Sequence, residues 1–162
     1  MIKTIKVGMA DLNIVESPGV LLTLGLGSCV GIALYDTEKQ IAGLAHIMLP
    51  SSKSINNNHN PAKFADTAIE LLIDLMTEKG AIRKNMLAKI AGGAQMFSFK
   101  NSTNNLLNIG ERNVLATKKV LNGFDIPLVA EDTGGNFGRT IAVYPKTGVL
   151  FVKTINHGTK EI

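Results

Sequence analysis

A chain of 162 residues with 45% hydrophobic and 19% charged residues has the composition of a soluble globular protein and excludes a disordered one. Its length fits a single domain over 1–162, with room for one real core but not two. The formal charge of +4 is scattered, with no basic run beyond pairs such as Lys118-Lys119, which argues against nucleic acid as a partner.

The first residues, Met1 to Lys6, hold no apolar stretch of the kind a secretory signal needs. The longest apolar stretches, Val20 to Leu26 and Ile41 to Leu49, are about half the length of a membrane-spanning helix. A cytoplasmic protein without membrane insertion is expected. Ile2 to Val7 reads as a short extended segment, and Ser17-Pro18-Gly19 as a turn into a buried strand over Val20 to Leu24. Gly25-Leu26-Gly27-Ser28 interrupts it. Two further apolar runs, Val30 to Tyr35 and Ile41 to Ile47, flank the polar turn Asp36 to Lys39.

Ser51 to Asn60 is polar and is expected to be a mobile loop. A helix follows, with Asn60 as its cap, Pro61 at its first position, an apolar face of Phe64, Ala68, Leu71, Leu72, Leu75 and Met76, and Gly80 as its stop. Leu87 to Ile90 predicts a strand entering Ala91-Gly92-Gly93-Ala94, after which comes an Asn-rich loop including Asn101 to Asn105. Asn108 with Glu111 three places on fits a capping box for a second helix, with Val114, Leu115, Lys118 and Leu121 on one face and Asn122-Gly123 ending it. Pro127 to Ala130, Thr140 to Tyr144 and Val149 to Val152 complete the strands. About eight short strands and two helices, joined mostly by connections too short for parallel crossovers, predict a layered α/β sandwich with mixed, largely antiparallel sheets.

The chain has one cysteine, Cys29, so no internal disulfide is possible, which agrees with a reducing compartment and leaves one thiol to explain. A regular hairpin centred between Thr37 and Glu38 pairs Tyr35 with Gln40. Carried outward, it sets Cys29 opposite His46 on one sheet face, with Cβ atoms roughly 4.5–5.5 Å apart. Such a pair supplies nucleophilic catalysis, because a neighbouring imidazole raises the thiolate fraction of a thiol near neutrality. One bulge, for which Gly27, Gly31 and Gly43 give opportunity, would change the register. On residue chemistry alone Cys29 reads equally as a small buried hydrophobe, and His46 as a core histidine.

Other motifs fail. Gly25-Leu26-Gly27 lacks the third glycine of a dinucleotide fingerprint, since Val30 stands there, and no P-loop lysine follows. His59 and His157 lie apart in polar contexts, and no Cys/His cluster has zinc spacing, so neither metal nor cofactor is expected. Glu131-Asp132-Thr133-Gly134-Gly135-Asn136 is a secondary candidate for a cation, against the alternative of a solvated turn.

The segments Thr23-Leu24-Gly25-Leu26-Gly27-Ser28-Cys29-Val30 and Ala45-His46-Ile47-Met48-Leu49-Pro50 closely resemble the CheD family of chemoreceptor glutamine deamidases. The resemblance extends, in family order, through Lys63 to Ala68, Lys89 to Phe97, Asn108 to Asn113 and Ala130 to Asn136. It implies a fold like that of cytotoxic necrotizing factor toxins and a catalytic set of Cys29, His46 and Thr23. The implied reaction converts glutamines of methyl-accepting chemotaxis receptors to glutamate, with release of ammonia, in the adaptation of bacterial chemotaxis. Ser28 is the competing nucleophile on paper, but its hydroxyl needs stronger activation than a thiol. The resemblance also implies the CheC phosphatase as a partner in some organisms. Two rival readings are a noncatalytic adaptor that binds receptors or CheC, and an esterase acting on receptor methyl glutamates through the same thioester.

Overall fold

The computed structural model describes residues 2–96 and 108–162. Phe97 and the expected loop over Asn101 to Asn105 lie outside the described residues. The described strands are β1 (Thr4–Val7), β2 (Asp11–Glu16), β3 (Val20–Leu26), β4 (Val30–Asp36), β5 (Ile41–Ile47), β6 (Leu87–Gly92), β7 (Leu128–Thr133), β8 (Arg139–Val143), β9 (Leu150–Thr154) and β10 (Gly158–Glu161). The described helices are α1 (Ala65–Glu78) and α2 (Ile109–Gly123), with three short 3-10 turns beside them. One sheet has the order β1-β3-β8-β9-β10 and the other β2-β5-β4-β6-β7. β1 pairs with β3, and β6 with β7, in parallel; the remaining neighbours are antiparallel. The expected mixed, largely antiparallel sandwich is the fold. β2 and β10 are additions to it: β2 is short and mixes polar with apolar residues, and β10 is polar and exposed throughout.

β4 and β5 are buried at every position because they sit in a middle layer. Val30, Ile32 and Leu34 share a core with Ala68, Ile69, Leu72 and Met76 of α1 and Val114 and Leu121 of α2. Cys29, Ala33 and Tyr35 face the other way, into a core shared with Leu21, Ile141, Val143, Leu150 and Val152 of the first sheet. The layers are therefore sheet, sheet and helices. Strands covered on both faces need no polar alternation, which is why these two read as unbroken apolar runs.

Local expectations are corrected in three places. In the β4–β5 hairpin Tyr35 pairs with Ala42 and Asp36 with Ile41. Gln40 adopts a left-handed φ of 55° and joins the turn, where the Asp36 carboxylate accepts from the Lys39 N–H at 3.2 Å. The register is displaced by two residues from the regular one. In the first helical region Asn60 caps a 3-10 turn, Pro61–Lys63, and α1 begins only after an extended Phe64. Phe64 is fully buried and its backbone bridges to Leu49, so the chain straightens there before turning helical. The α1 stripe is Ala65, Ala68, Ile69, Leu72, Ile73 and Met76, while Leu71 and Leu75 are half-buried.

α2 starts as expected, with the Asn108 side chain accepting from the Glu111 N–H at 3.3 Å. Its buried face is Gly110, Asn113, Val114, Thr117 and Leu121, and Leu115 is exposed. The third correction concerns Ser51 to Asn60, which is tied rather than free. Ser52 donates through both its N–H and its hydroxyl to the Asp66 carboxylate at 3.0 and 2.8 Å. Asn58 Nδ2 donates to the Ser52 carbonyl, and Asn60 Nδ2 to the Ala10 carbonyl.

Candidate active site

Thr23 belongs to the first sheet, and its pairing with β8 breaks into a bulge between Thr23 and Leu26, where Gly25 takes φ +70°. Bulges redirect a strand, and beyond this one only Leu26 stays paired with β8, opposite Arg139, before the chain leaves the first sheet. Gly27 to Cys29 then bend across to β4 in the second sheet. Directly opposite His46 stands Gly31. Because the register is displaced by two residues rather than one, Cys29, one residue before β4, stays on the side of the second sheet that His46 also faces, toward the first sheet. Among the described residues no hydrogen bond joins the Cys29 thiol to His46, whose Nδ1 faces Thr23 and whose Nε2 is unpartnered. The expected facing pair is corrected in position and kept in orientation.

Thr23 is fully buried, as is His46 to 1% exposure, and Cys29 keeps 7%. The Thr23 hydroxyl lies 2.7 Å from His46 Nδ1 and 2.7 Å from the Val7 carbonyl oxygen. A carbonyl accepts only, so the single hydroxyl proton goes to Val7. Toward the imidazole the hydroxyl therefore accepts, and Nδ1 carries the ring proton. Nε2 is left with a bare lone pair, buried and without a partner among the described residues.

Burial sets the resting charges. It holds the His46 imidazole below its ordinary 6.5, favouring the neutral ring. It also pushes the Cys29 thiol up from 9.0, opposed in part by the residue's own backbone N–H. Desolvation thus opposes the thiolate that a neighbouring imidazole would favour. Both shifts favour the neutral forms, thiol and imidazole.

The loop around Cys29 is fixed from several sides. The Gly93 and Ala94 N–H groups donate to the carbonyls of Cys29 and Gly27 at 2.9 and 2.8 Å. Gly92 has φ +110°, and a Cβ there would stand 2.3 Å from the Cys29 carbonyl oxygen, so glycine is required on both counts. Asn113 of α2, fully buried, donates from Nδ2 to the Ser28 and Met48 carbonyls, both at 3.0 Å. Sequence reasoning missed Asn113. The available signal was its i, i+4, i+8 alignment with Thr117 and Leu121, which puts two polar residues on the buried stripe.

The secondary cation candidate does not gather. Glu131 pairs with Lys118 at 2.9 Å, and Asp132 pairs with Arg139 at 3.3 Å and Lys160 at 3.2 Å. Glu131 to Thr133 lie in β7 rather than in a turn. Among the described residues no group of three or more His, Cys, Asp or Glu is arranged to hold a metal ion.

The profile of the family described as CheD chemotactic sensory transduction matches residues 48–154. The chain belongs to the CheD family. A relative from Caldanaerobacter subterraneus subsp. tengcongensis, the probable chemoreceptor glutamine deamidase CheD, is 59% identical over 160 residues, covering 99% of this chain and 98% of that protein. The chemoreceptor glutamine deamidase CheD of Halalkalibacterium halodurans is 53% identical, covering 98% of each chain. That of Bacillus subtilis is 52% identical, covering 98% of this chain and 95% of its own. The CheD relatives thus span the β3 to β5 region that holds Thr23, Cys29 and His46, which the family profile leaves outside its bounds. Among solved structures, the hypothetical protein YfiH of Bacillus licheniformis is a loose likeness, with TM-score 0.44 and 15% identity over 76% of this chain and 50% of that one.

Proposed function

We propose that this chain deamidates glutamine side chains of chemoreceptors, with Cys29 as nucleophile, His46 as general base and acid, and Thr23 as the group that orients His46. The observation that carries the mechanism is the use of the Thr23 hydroxyl proton by the Val7 carbonyl, which leaves His46 Nε2 as the free base. Nε2 takes the thiol proton as Sγ attacks the carboxamide carbon. The tetrahedral intermediate collapses when the imidazolium returns that proton to the departing nitrogen, giving ammonia and a thioester. Water then adds to the thioester, losing a proton to Nε2, and glutamate leaves with the thiol restored.

The substrate side rests on family membership and on the relatives, which are named chemoreceptor glutamine deamidases. Among the described residues no helix is long and apolar enough to cross a membrane. We place the reaction in the cytoplasm, on receptor helices. The resemblance also points to the CheC phosphatase as a partner, which a pull-down with purified CheC tests.

The deciding experiment is mass spectrometry of a receptor cytoplasmic fragment incubated with the wild type and, separately, with Cys29→Ala. Conversion of glutamine to glutamate by the wild type alone, with Ser28→Ala retaining substantial activity, is the expected result. No conversion by reduced wild type on its own organism's receptors would leave the adaptor reading standing instead.

A further inference from the structure

Asn113 holds a carboxamide in a fully buried place where both of its Nδ2 protons are committed and its Oδ1 has no partner among the described residues. Both partners are carbonyl oxygens, so the amide orientation follows from the network. A polar side chain buried this deeply calls for a reason.

The reason lies in the peptide that Asn113 grips. Ser17-Pro18 is the cis bond among the described residues, so the Ser28–Cys29 peptide is trans. In a trans peptide the C=O and the following N–H point in opposite directions. Asn113 draws the Ser28 carbonyl toward α2, on the helix side of the second sheet. The Cys29 N–H is thereby turned to the other side, between the sheets, where the Cys29 side chain lies. Among the described residues this N–H donates to no carbonyl, whereas the Cys29 carbonyl is bound by Gly93. The second Asn113 proton binds the Met48 carbonyl, two residues past His46, so the same side chain spans the nucleophile's loop and the end of the base's strand.

We infer that Asn113 is a positioning residue for the deamidation, fixing the Ser28–Cys29 peptide so that the Cys29 N–H faces the oxyanion of the tetrahedral intermediate. This rests on the deamidase reading given above. Asn113 itself does not touch the substrate. The proximity of the Cys29 N–H to its own sulfur, which partly offsets the burial of the thiol, agrees with that orientation.

The test compares wild type with Asn113→Asp, which keeps the shape and presents only acceptors to the two carbonyls. Two rates are measured: deamidation of a receptor cytoplasmic fragment, and alkylation of Cys29 by iodoacetamide. Alkylation is displacement at a saturated carbon, builds no oxyanion, and reports thiol activation alone. The chain's one cysteine makes the label unambiguous. A fall in kcat of about 10²–10³-fold, the usual effect of losing an oxyanion donor, is expected, with KM and the alkylation rate near wild type. Unchanged kcat overturns the inference. So does a parallel loss of both rates, which would make Asn113 a structural support for the whole site. Should Asn113→Asp fail to fold, Asn113→Ala removes the donors without adding a charge and carries the same expectation. An inert wild type overturns the deamidase reading and this inference together, whereas an active wild type with an equally active variant overturns the inference alone.

Discussion

Thr23 and His46 stand on different sheets, and the 2.7 Å contact between the hydroxyl and Nδ1 is a hydrogen bond across the interface between them. The same hydroxyl donates to Val7 in the strand beside it, so the imidazole is oriented by a group that is itself held by the sheet backbone.

Thr23→Val keeps the shape and removes the hydroxyl. It leaves Nδ1–H without its acceptor and the Val7 carbonyl without that donor, and it frees the ring to take the other tautomer. A kcat loss on the order of 10²-fold is expected, within the range that positioned acid–base catalysis contributes, along with about 1–3 kcal/mol of stability for the stranded polar groups. Thr23→Ser recovers most of the rate. Steady-state kinetics and urea unfolding on the three proteins check both effects.

The pH dependence follows from the two burial shifts. His46 is held below 6.5, so kcat/KM keeps its plateau down through that pH and its acid limb falls lower. Cys29 is pushed above 9.0, so iodoacetamide alkylation keeps rising past that pH. For stability the lowered His46 value means that the unfolded chain takes up its proton first as pH falls. The folded state loses stability from 6.5 down through the folded value, and His46→Gln removes that loss. An alkylation profile saturating near neutrality would instead signal a thiolate–imidazolium pair and contradict the neutral resting state.

Gly31 faces His46 across the β4–β5 ladder, and a Cβ there would stand 2.4 Å from Ile141 Cδ1 and 3.0 Å from Leu26 Cδ1, both in the first sheet. Gly31→Ala therefore wedges the sheets apart where Thr23 must reach His46. About 1–3 kcal/mol of destabilisation is expected from overpacking, with a drop in kcat. Adding Ile141→Val removes the nearest methyl and restores part of both, as thermal melts and kinetics on the double variant test.

Asp36, fully buried at the far end of β4 from Cys29, accepts from the N–H groups of Lys39 and Ile82 at 3.2 and 2.9 Å. It joins the hairpin turn to the connection after α1. Asp36→Ala leaves those donors unmet and lowers stability by about 2 kcal/mol, while kcat of the folded protein stays at the wild-type value. A large kcat loss at full folding would refute that separation of scaffold from site.

The middle strands were legible because unbroken runs such as Val30 to Tyr35 mark strands covered on both faces. Cys29 and His46 keep a common sheet side despite the wrong hairpin register because the error was two residues, and strand side chains alternate with period two. Gln40 was the source of that error, since nothing in its chemistry announces a left-handed φ. β10 was not legible, because Gly158 to Glu161 are exposed throughout and carry no apolar alternation. The position of Asn113 beneath the Ser28 carbonyl depends on how α2 packs on the second sheet, a long-range relation that local pattern does not encode.

The cross-sheet bond also bears on synthesis. Thr23, Cys29 and His46 emerge from the ribosome close together, but β3 takes its second neighbour, β8, from much later in the chain, and Asn113 arrives later too. A nascent chain thus carries every reactive group before it has the frame that aligns them. The frame is closed only when β8 and α2 have been added.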